Sequence, residues 1–443
     1  MHRALLRPQH RDGPDADDRG IDVTLRARRG PSPVEFTTLL ALSMGLTAMG
    51  VDIMLPALGE IRADFGLPSD STAVATLLTA YFAGLAVGQL AYGPAADRFG
   101  RRRALFVGYA IYLAGALASA ASPTLAVLIV SRFVWGLGAA GPRVVTIAMV
   151  RDTYDGERMS RAMSLIMAVF ILVPIIAPLV GAAIVSVASW RWVFGVCVIS
   201  ALTVATWAFV RLPESLASEH QLELRFRRIA TAARVVVSDR QAVGYGLAMT
   251  AVSGAFLSYL ASSEIIIGEA LGRPDLFPYI FATLAAVMGG AMLVNARIVG
   301  RIGTRRLAHG VLLSYLGFAT IFLGVGLASS GRPPVWLFVL TVAPLLASHG
   351  LMIPNLNTVA MVNMAPIAGT ASSLLGAAQI AIGAGIGALI DQAFAGTVLP
   401  LGTGFLGLGV VAALLIVWVE RGRLFQPLLP RPRVDPIPPV TEL

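Results

Sequence analysis

The stretch GPAADRFGRRRAL, Gly93 to Leu105, lies between two long apolar runs, and a degenerate copy, VGRIGTRRLA, Val299 to Ala308, lies between another such pair. Superposing the copies sets Gly100 on Gly303, Arg98 on Arg301, Arg102 on Arg305 and Arg103 on Arg306, an offset of 303 − 100 = 203 residues. A repeat at nearly half the chain length predicts a duplicated membrane protein with two halves related by an axis along the membrane normal, an architecture that places a binding site between the halves near the midplane.

Working outward, 56% of the 443 residues are hydrophobic and 13% are charged, too few charges to cover a soluble protein of this size. Lipid is the expected solvent. A hydrocarbon core of roughly 30 Å takes about 20 apolar residues to cross, and runs of that length recur along the chain. In the first half they read as Phe36 to Leu58, Ser71 to Tyr92, Ala104 to Ala121, Leu125 to Val150, Met163 to Val187 and Trp192 to Val210. In the second they are Ala242 to Ile267, Phe277 to Val299, Leu307 to Leu327, Val335 to Val362, Thr370 to Ala393 and Leu401 to Trp418. The expected fold is all-α, with 12 transmembrane helices in two six-helix bundles. Expected boundaries are a disordered tail at 1–34, bundles at 35–212 and 241–420, a linker at 213–240 and a second tail at 421–443. Leu222, Leu224 and Phe226 suggest that the linker forms an amphipathic helix on the membrane surface.

The net charge of +9 reads as topology rather than as a nucleic-acid surface, because the arginines collect in alternate loops. They fill the first tail (Arg19, Arg26, Arg28, Arg29), the second loop (Arg98, Arg101, Arg102, Arg103), the fourth (Arg151, Arg158, Arg161) and the linker (Arg225, Arg227, Arg228, Arg234). The eighth loop (Arg301, Arg305, Arg306) and the last tail (Arg421, Arg423) continue the alternation, whereas the Gly59 to Asp70 loop carries Glu60, Asp64 and Asp70. Positive-inside bias then sets both termini in the cytoplasm of a multi-pass protein of the cytoplasmic, or inner, membrane. All 34 basic residues are arginine. Without lysine there is no P-loop to hold nucleotide phosphates and no Schiff-base amine, so neither an enzyme nor an ATP-driven pump is expected. Cys197 alone can form no intrachain disulfide and no multi-cysteine metal site; no cofactor and no metal are expected. Gly136, Gly138 and Gly141 spell a dinucleotide-like G-x-G-x-x-G, but they lie within an apolar helix, where small residues serve close packing.

The loop residues Gly93, Asp97, Arg98, Gly100, Arg101 and Arg102 resemble the signature between the second and third helices of the major facilitator superfamily. Asp97 is suited to accept from arginines or a helix N-terminus and so to latch helix ends together; with Gly300 in its place, the second copy should latch more weakly. RFVWGLGAA, Arg132 to Ala140, looks like the superfamily's fourth-helix arginine motif, and PIIAPLVG, with Pro174, Pro178 and Gly181, resembles its antiporter motif. Val51 to Leu58, Val150 to Tyr154 and Gly369 to Gly376 are similar to the Bcr/CflA drug:proton antiporters. The resemblance covers Phe36 to Trp418. It implies proton-coupled export of small, partly apolar molecules by alternating access, with protons, substrate and lipid as partners. A monomer suffices, since one chain holds both halves of a pathway. The residues also fit proton-linked uptake or facilitated diffusion of a metabolite, or a transport-inactive sensor.

Charges inside a membrane helix cost roughly 2.5 to 3.5 kcal/mol at its centre, which makes each one a functional candidate. Asp52 lies about 24 Å along the first span and Arg132 about 10 Å below the outer end of the fourth, at roughly 1.5 Å per residue, so an Asp52 to Arg132 pair is expected. Exchange of a proton near neutral pH requires the neutral form of Asp52 to gain about 4 kcal/mol over its balance in water, which burial can supply, with Arg132 opposing it. Arg143 follows Arg132 by 11 residues, returning to within about 20° of the same face; it either lines the cavity, favouring anionic or zwitterionic substrates, or snorkels or pairs with Asp152. Tyr81, His349 and Gln379 are further cavity candidates, with interhelical bonding as their alternative. Glu264 and Asp391 fall near outer helix ends, where water exposure is expected.

Overall fold

The computed structural model describes residues 31–216 and 226–426; residues 1–30, 217–225 (with Leu222 and Leu224) and 427–443, where parts of the tail and linker expectations fall, lie outside the described residues. The first bundle contains α1 (Pro33–Asp52), the short α2 (Leu58–Asp64), α3 (Thr76–Phe99), α4 (Arg101–Ala120), α5 (Leu125–Thr153), α6 (Gly156–Val185) and α7 (Arg191–Arg211). After the linker helix α8 (Phe226–Ser238) come α9 (Arg240–Ile265), α10 (Phe277–Ile302), α11 (Thr304–Ala328), α12 (Val335–Met361), α13 (Ala368–Gln392) and α14 (Leu399–Glu420). Among the described residues, 12 helical segments are long and apolar enough to cross a membrane, the first running Pro33–Asp64 with a break inside it.

Packing repeats as the duplicated sequence requires. In the first bundle α5 packs on α3, α4 and α1, while α1 meets α6 and α7 and α4 meets α7. In the second, α12 packs on α10, α11 and α9, while α9 meets α13 and α14 and α11 meets α14. Each contact maps onto its counterpart under the repeat. The seams between bundles obey the same symmetry: α3 lies on α13, and α6 lies on α10. Gly100 and Gly303, one offset apart, both take a left-handed φ (96° and 87°) where one helix ends and the next begins, a conformation that glycine alone adopts without strain.

Without a hydrophobic force between helices in lipid, close backbone approach carries the association. A Cβ on Gly136 would lie 1.9 Å from the Tyr81 carbonyl oxygen, and one on Gly138 would lie 2.2 Å from the Tyr112 nitrogen. The three-glycine motif therefore seats α5 against α3 and α4. Outward faces stay apolar and exposed, with Phe209, Trp336, Leu389 and Leu414 among them, as a lipid boundary demands.

The ends of the helices divide into a basic end, holding Pro33, Gly100, Gly303 and Glu420, and a far end, holding Asp64, Ala120 and Glu264. At the basic end, Ser32 and Glu35 form a reciprocal capping box on α1. The same Glu35 accepts from Arg211 at 2.7 and 2.8 Å and from Trp207 at 3.2 Å, tying α1 to the end of α7. In the linker, α8 buries Ala232 and Val236 and exposes Arg234.

Gly136→Ala should lower the melting temperature and the monodisperse yield in detergent, since overpacking costs about 1 to 3 kcal/mol. Gly290→Ala, with open space at its Cβ, should match the wild type; equal behaviour of the two variants would contradict the seating role of Gly136.

Candidate functional site

The first span is not one helix. The sequence suggested an unbroken run to Leu58, but α1 ends at Asp52, a 3-10 turn follows at Leu55–Ala57, and α2 begins at Leu58. Pro56 has no N–H to continue the ladder, so the last carbonyls of α1, from Gly50 on, are left for other donors, whereas those of Leu46 and Thr47 lie inside the helix. Arg132 Nη1 on α5 donates to the Gly50 carbonyl at 2.7 Å, Tyr81 Oη on α3 to the Thr47 carbonyl at 2.8 Å, and Tyr112 Oη on α4 to the Leu46 carbonyl at 3.1 Å. A Cβ on Gly50 would fall 2.8 Å from Tyr81 Oη, and one on Gly181 of α6 would fall 2.1 Å from the Ile53 carbonyl oxygen. The glycine of the antiporter-like motif thus lies directly on the break. Pro174 and Pro178 are inside α6 just before it.

Arg132 is 0% exposed, with its guanidinium carbon 4.5 Å from the Tyr81 ring centre and 4.8 Å from that of Trp135. Cation–π contact and the negative end of α1 offset part of its desolvation. Its Nε and Nη2 have no hydrogen-bond partner among the described residues. The expected Asp52 to Arg132 pair is not made, because the arginine is spent on the backbone two residues away. Asp52 is 4% exposed and, among the described residues, makes neither a hydrogen bond nor an ion pair. A carboxyl in that setting has burial acting on it and no cation holding its charge.

Tyr81 is fully buried within the first bundle, so it supports Arg132 and α1 rather than lining a cavity as expected. Arg143 is half-buried on α5, and the pairing with Asp152 is not made: Asp152 accepts from Arg101 at 2.8 Å and from Ser215 at 3.3 Å. Gln379 donates to Ser253 Oγ at 2.7 Å, joining α13 to α9. His349 is buried with its ring stacked on Phe256 at 4.4 Å.

At the basic end Asp97 binds Arg101, and Arg101 reaches on to Asp152, so one arginine joins the ends of α3, α4 and α5. The N-terminus of α4 is capped by a residue the sequence did not flag. Glu214 accepts from the Arg101 and Arg102 backbone N–H groups at 2.8 and 3.1 Å. Arg102 donates to the Phe209 carbonyl at 2.7 Å, and Arg98 is exposed. The second copy, which has Gly300 in place of Asp97, sets Arg305 3.3 Å from Glu420 instead.

At the far end Arg62 and Glu264 form an ion pair at 2.7 Å between the bundles, with side chains 6% and 15% exposed. Arg62 Nε also donates to the Ser71 carbonyl at 3.1 Å. Glu264 is therefore sequestered rather than water-exposed as expected. Asp391 departs likewise: it is buried and accepts from Ser258 Oγ at 2.6 Å. Both carboxylates were misread because the partner lies on another helix, far away in sequence.

A sequence model described as the Major Facilitator Superfamily matches residues 40–388. The chain belongs to the Major Facilitator Superfamily. Among its relatives in that superfamily, a bicyclomycin resistance protein homolog of Haemophilus influenzae is 29% identical over 371 residues, covering 82% of this chain and 92% of that protein. Multidrug resistance protein D of Escherichia coli K12 is 25% identical, covering 85% and 92%. The crystal structure of a D-xylose-proton symporter shares the fold, with TM-score 0.68 at 15% identity over 90% of this chain and all of that one.

Reversing one charge, as in Glu264→Arg, should lower transport several-fold by leaving two cations face to face, and adding Arg62→Glu should restore much of it. Independent effects of the two changes would show that the pair does not act as a unit.

Proposed function

We propose that the chain exports small, partly apolar molecules in exchange for protons, as a drug:proton antiporter of the Bcr/CflA type. The observation that carries this reading is Asp52: a buried carboxyl without a cation or hydrogen-bond partner, at the break in α1 between the bundles. The names of its relatives, which include bicyclomycin and multidrug resistance proteins, support the direction and the substrate class.

The arginine-rich end faces the cytoplasm by the positive-inside rule, which places both termini there. In that orientation the Arg62–Glu264 pair closes the outer side, and the described conformation is shut towards the exterior. The units that rock are 35–212 and 241–420, sliding along the α3–α13 and α6–α10 seams. Outward opening breaks the Arg62–Glu264 pair and brings water to Asp52, which takes up a proton; inward opening lets drug displace it. Arg132 holds the α1 break in shape, and its two unpartnered nitrogens can turn to Asp52 once the carboxyl is ionised. Arg143, half-buried and 11 residues towards the cytoplasm on the same face, offers its charge to an anionic or zwitterionic group on the drug.

Substrate-driven proton movement in sealed vesicles tests this reading, over a panel of cationic, neutral and anionic drugs. Wild-type protein should release protons when an exported drug is added, Asp52→Asn should not, and Arg143→Gln should lose the anionic drugs first. Drug-driven proton flux unchanged in Asp52→Asn would remove Asp52 as carrier. Proton movement in the same direction as the drug would indicate symport instead.

A further inference from the structure

Two buried polar groups on facing elements of the two bundles, Asp52 and Tyr259, have no hydrogen-bond partner among the described residues. Tyr259 on α9 is 2% exposed, and its hydroxyl has no hydrogen-bond partner, an uncommon condition for a buried phenol, which usually finds one. Its ring is fixed by parallel stacking on Phe281, with centres 6.0 Å apart and planes 5° apart, and by Phe256 at 6.4 Å. The carboxyl of Asp52 belongs to the opposite bundle, at the end of α1. The turn after Asp52, Leu55–Ala57, packs on α9. One and a half turns further along α9, Glu264 binds Arg62 and clamps the two elements together.

We propose that Tyr259 is the hydrogen-bond donor, supplied by the second bundle, that holds Asp52 in its ionised form. A hydroxyl donates to a carboxylate far more strongly than to a neutral acid. Ionisation of Asp52 therefore draws α9 towards the end of α1, and protonation releases it. That converts the charge state of one residue into the closeness of two bundles, which the Asp52 to Arg132 pairing inside a single bundle could not do. The inference rests on reading Asp52 as the titrating group.

Other charges around the pair stay as they are in the comparison that tests it. From α5, Arg132 is engaged at Gly50 and Arg143 lies nearer the basic end; Tyr81 on α3 and Cys197 on α7 complete the first bundle's side. On the second bundle's side are His349 of α12, stacked beyond Phe256, and Asp391 of α13, bound to Ser258. Arg62 and Glu264 neutralise each other above.

Dicyclohexylcarbodiimide reads the protonated carboxyl directly and needs no substrate. The acid adds across the carbodiimide and rearranges to a stable N-acylurea that mass spectrometry locates on the Asp52 peptide. In full-length protein in detergent, labelling of Asp52 should fall as pH rises. In Tyr259→Phe, which keeps the ring and its stacking, the midpoint should move to higher pH by about one unit, because a lost charge-assisted hydrogen bond of that strength disfavours the ionised form. Labelling of Asp391 should keep its wild-type midpoint and so reports that the bundle is intact. The same Asp52 midpoint in both proteins overturns the proposal, as does absence of Asp52 labelling in both at acid pH. A shift around a wild-type midpoint far from neutrality would support Tyr259 as donor and count against Asp52 as the carrier proton's site, so the two readings fail separately.

Discussion

The carbonyl groups set free where α1 stops at Asp52 constrain everything around them. In hydrocarbon no water can satisfy a freed backbone group, so Arg132 takes the Gly50 carbonyl, while Tyr81 and Tyr112 add a second bond to the Thr47 and Leu46 carbonyls inside the last turns of α1. Each must come close, which explains Gly50 under Tyr81 and Gly136 against the Tyr81 backbone, while Gly181 lets α6 approach the break at Ile53. The arginine, bound to Gly50, makes no bond to the carboxyl two residues on in this conformation. An aspartate locked to a guanidinium would hold its charge through any cycle, whereas Asp52 is bound to no cation among the described residues. The break in the helix and the freedom of the acid are thus one feature.

The two ends of the molecule are built for opposite tasks. At the basic end the polar links run within a bundle: Arg101 with Asp97 and Asp152, Glu214 on the α4 N-terminus, Arg211 with Glu35, Tyr245 with Glu420. They make each half stiff. At the far end Arg62 and Glu264 link one half to the other, and a buried ion pair between bodies that must separate works as a clasp, since breaking it leaves charges that only water can stabilise. Between the ends, the α3–α13 and α6–α10 seams meet through small residues, as where a Cβ on Gly289 would press 2.3 Å from an Ile171 methyl and one on Gly376 would press 2.3 Å from Gln89. Smooth seams and one clasp suit a rocking motion.

Fold and loop signature were legible because they depend on local pattern. Apolar runs of about 20 residues announce membrane helices, and the repeated loop around Gly100 and Gly303 announces the duplication, down to the shared left-handed turn. That Asp52 and Arg132 fall at one level of the first bundle could also be read by counting, since Arg132 reaches the Gly50 carbonyl. What counting could not supply was the partner. The break at Asp52 hides behind an apolar run that hydropathy treats as continuous. Glu214 sits in a linker whose sequence resembles any charged surface segment, and only the folded chain brings it to α4. Glu264 and Asp391 read as exposed because nothing near them in sequence predicts Arg62, 202 residues away, or Ser258, 133 residues away.

Arg132 and Arg143 show how far periodicity carries and where it stops. Eleven residues apart on α5, they share a face, yet one is enclosed by rings and backbone while the other keeps part of its surface open. The difference comes from what opposes them. Arg132 meets α1 where the helix ends and presents free carbonyls, a ready acceptor for a cation. At the level of Arg143, α1 is a regular helix whose carbonyls are already used. A guanidinium there finds no backbone acceptor, and the nearest carboxylate towards the basic end is held by Arg101. Among the described residues its charge meets no hydrogen-bond or ion-pair partner, and on that the proposed role for Arg143 towards an anionic group rests.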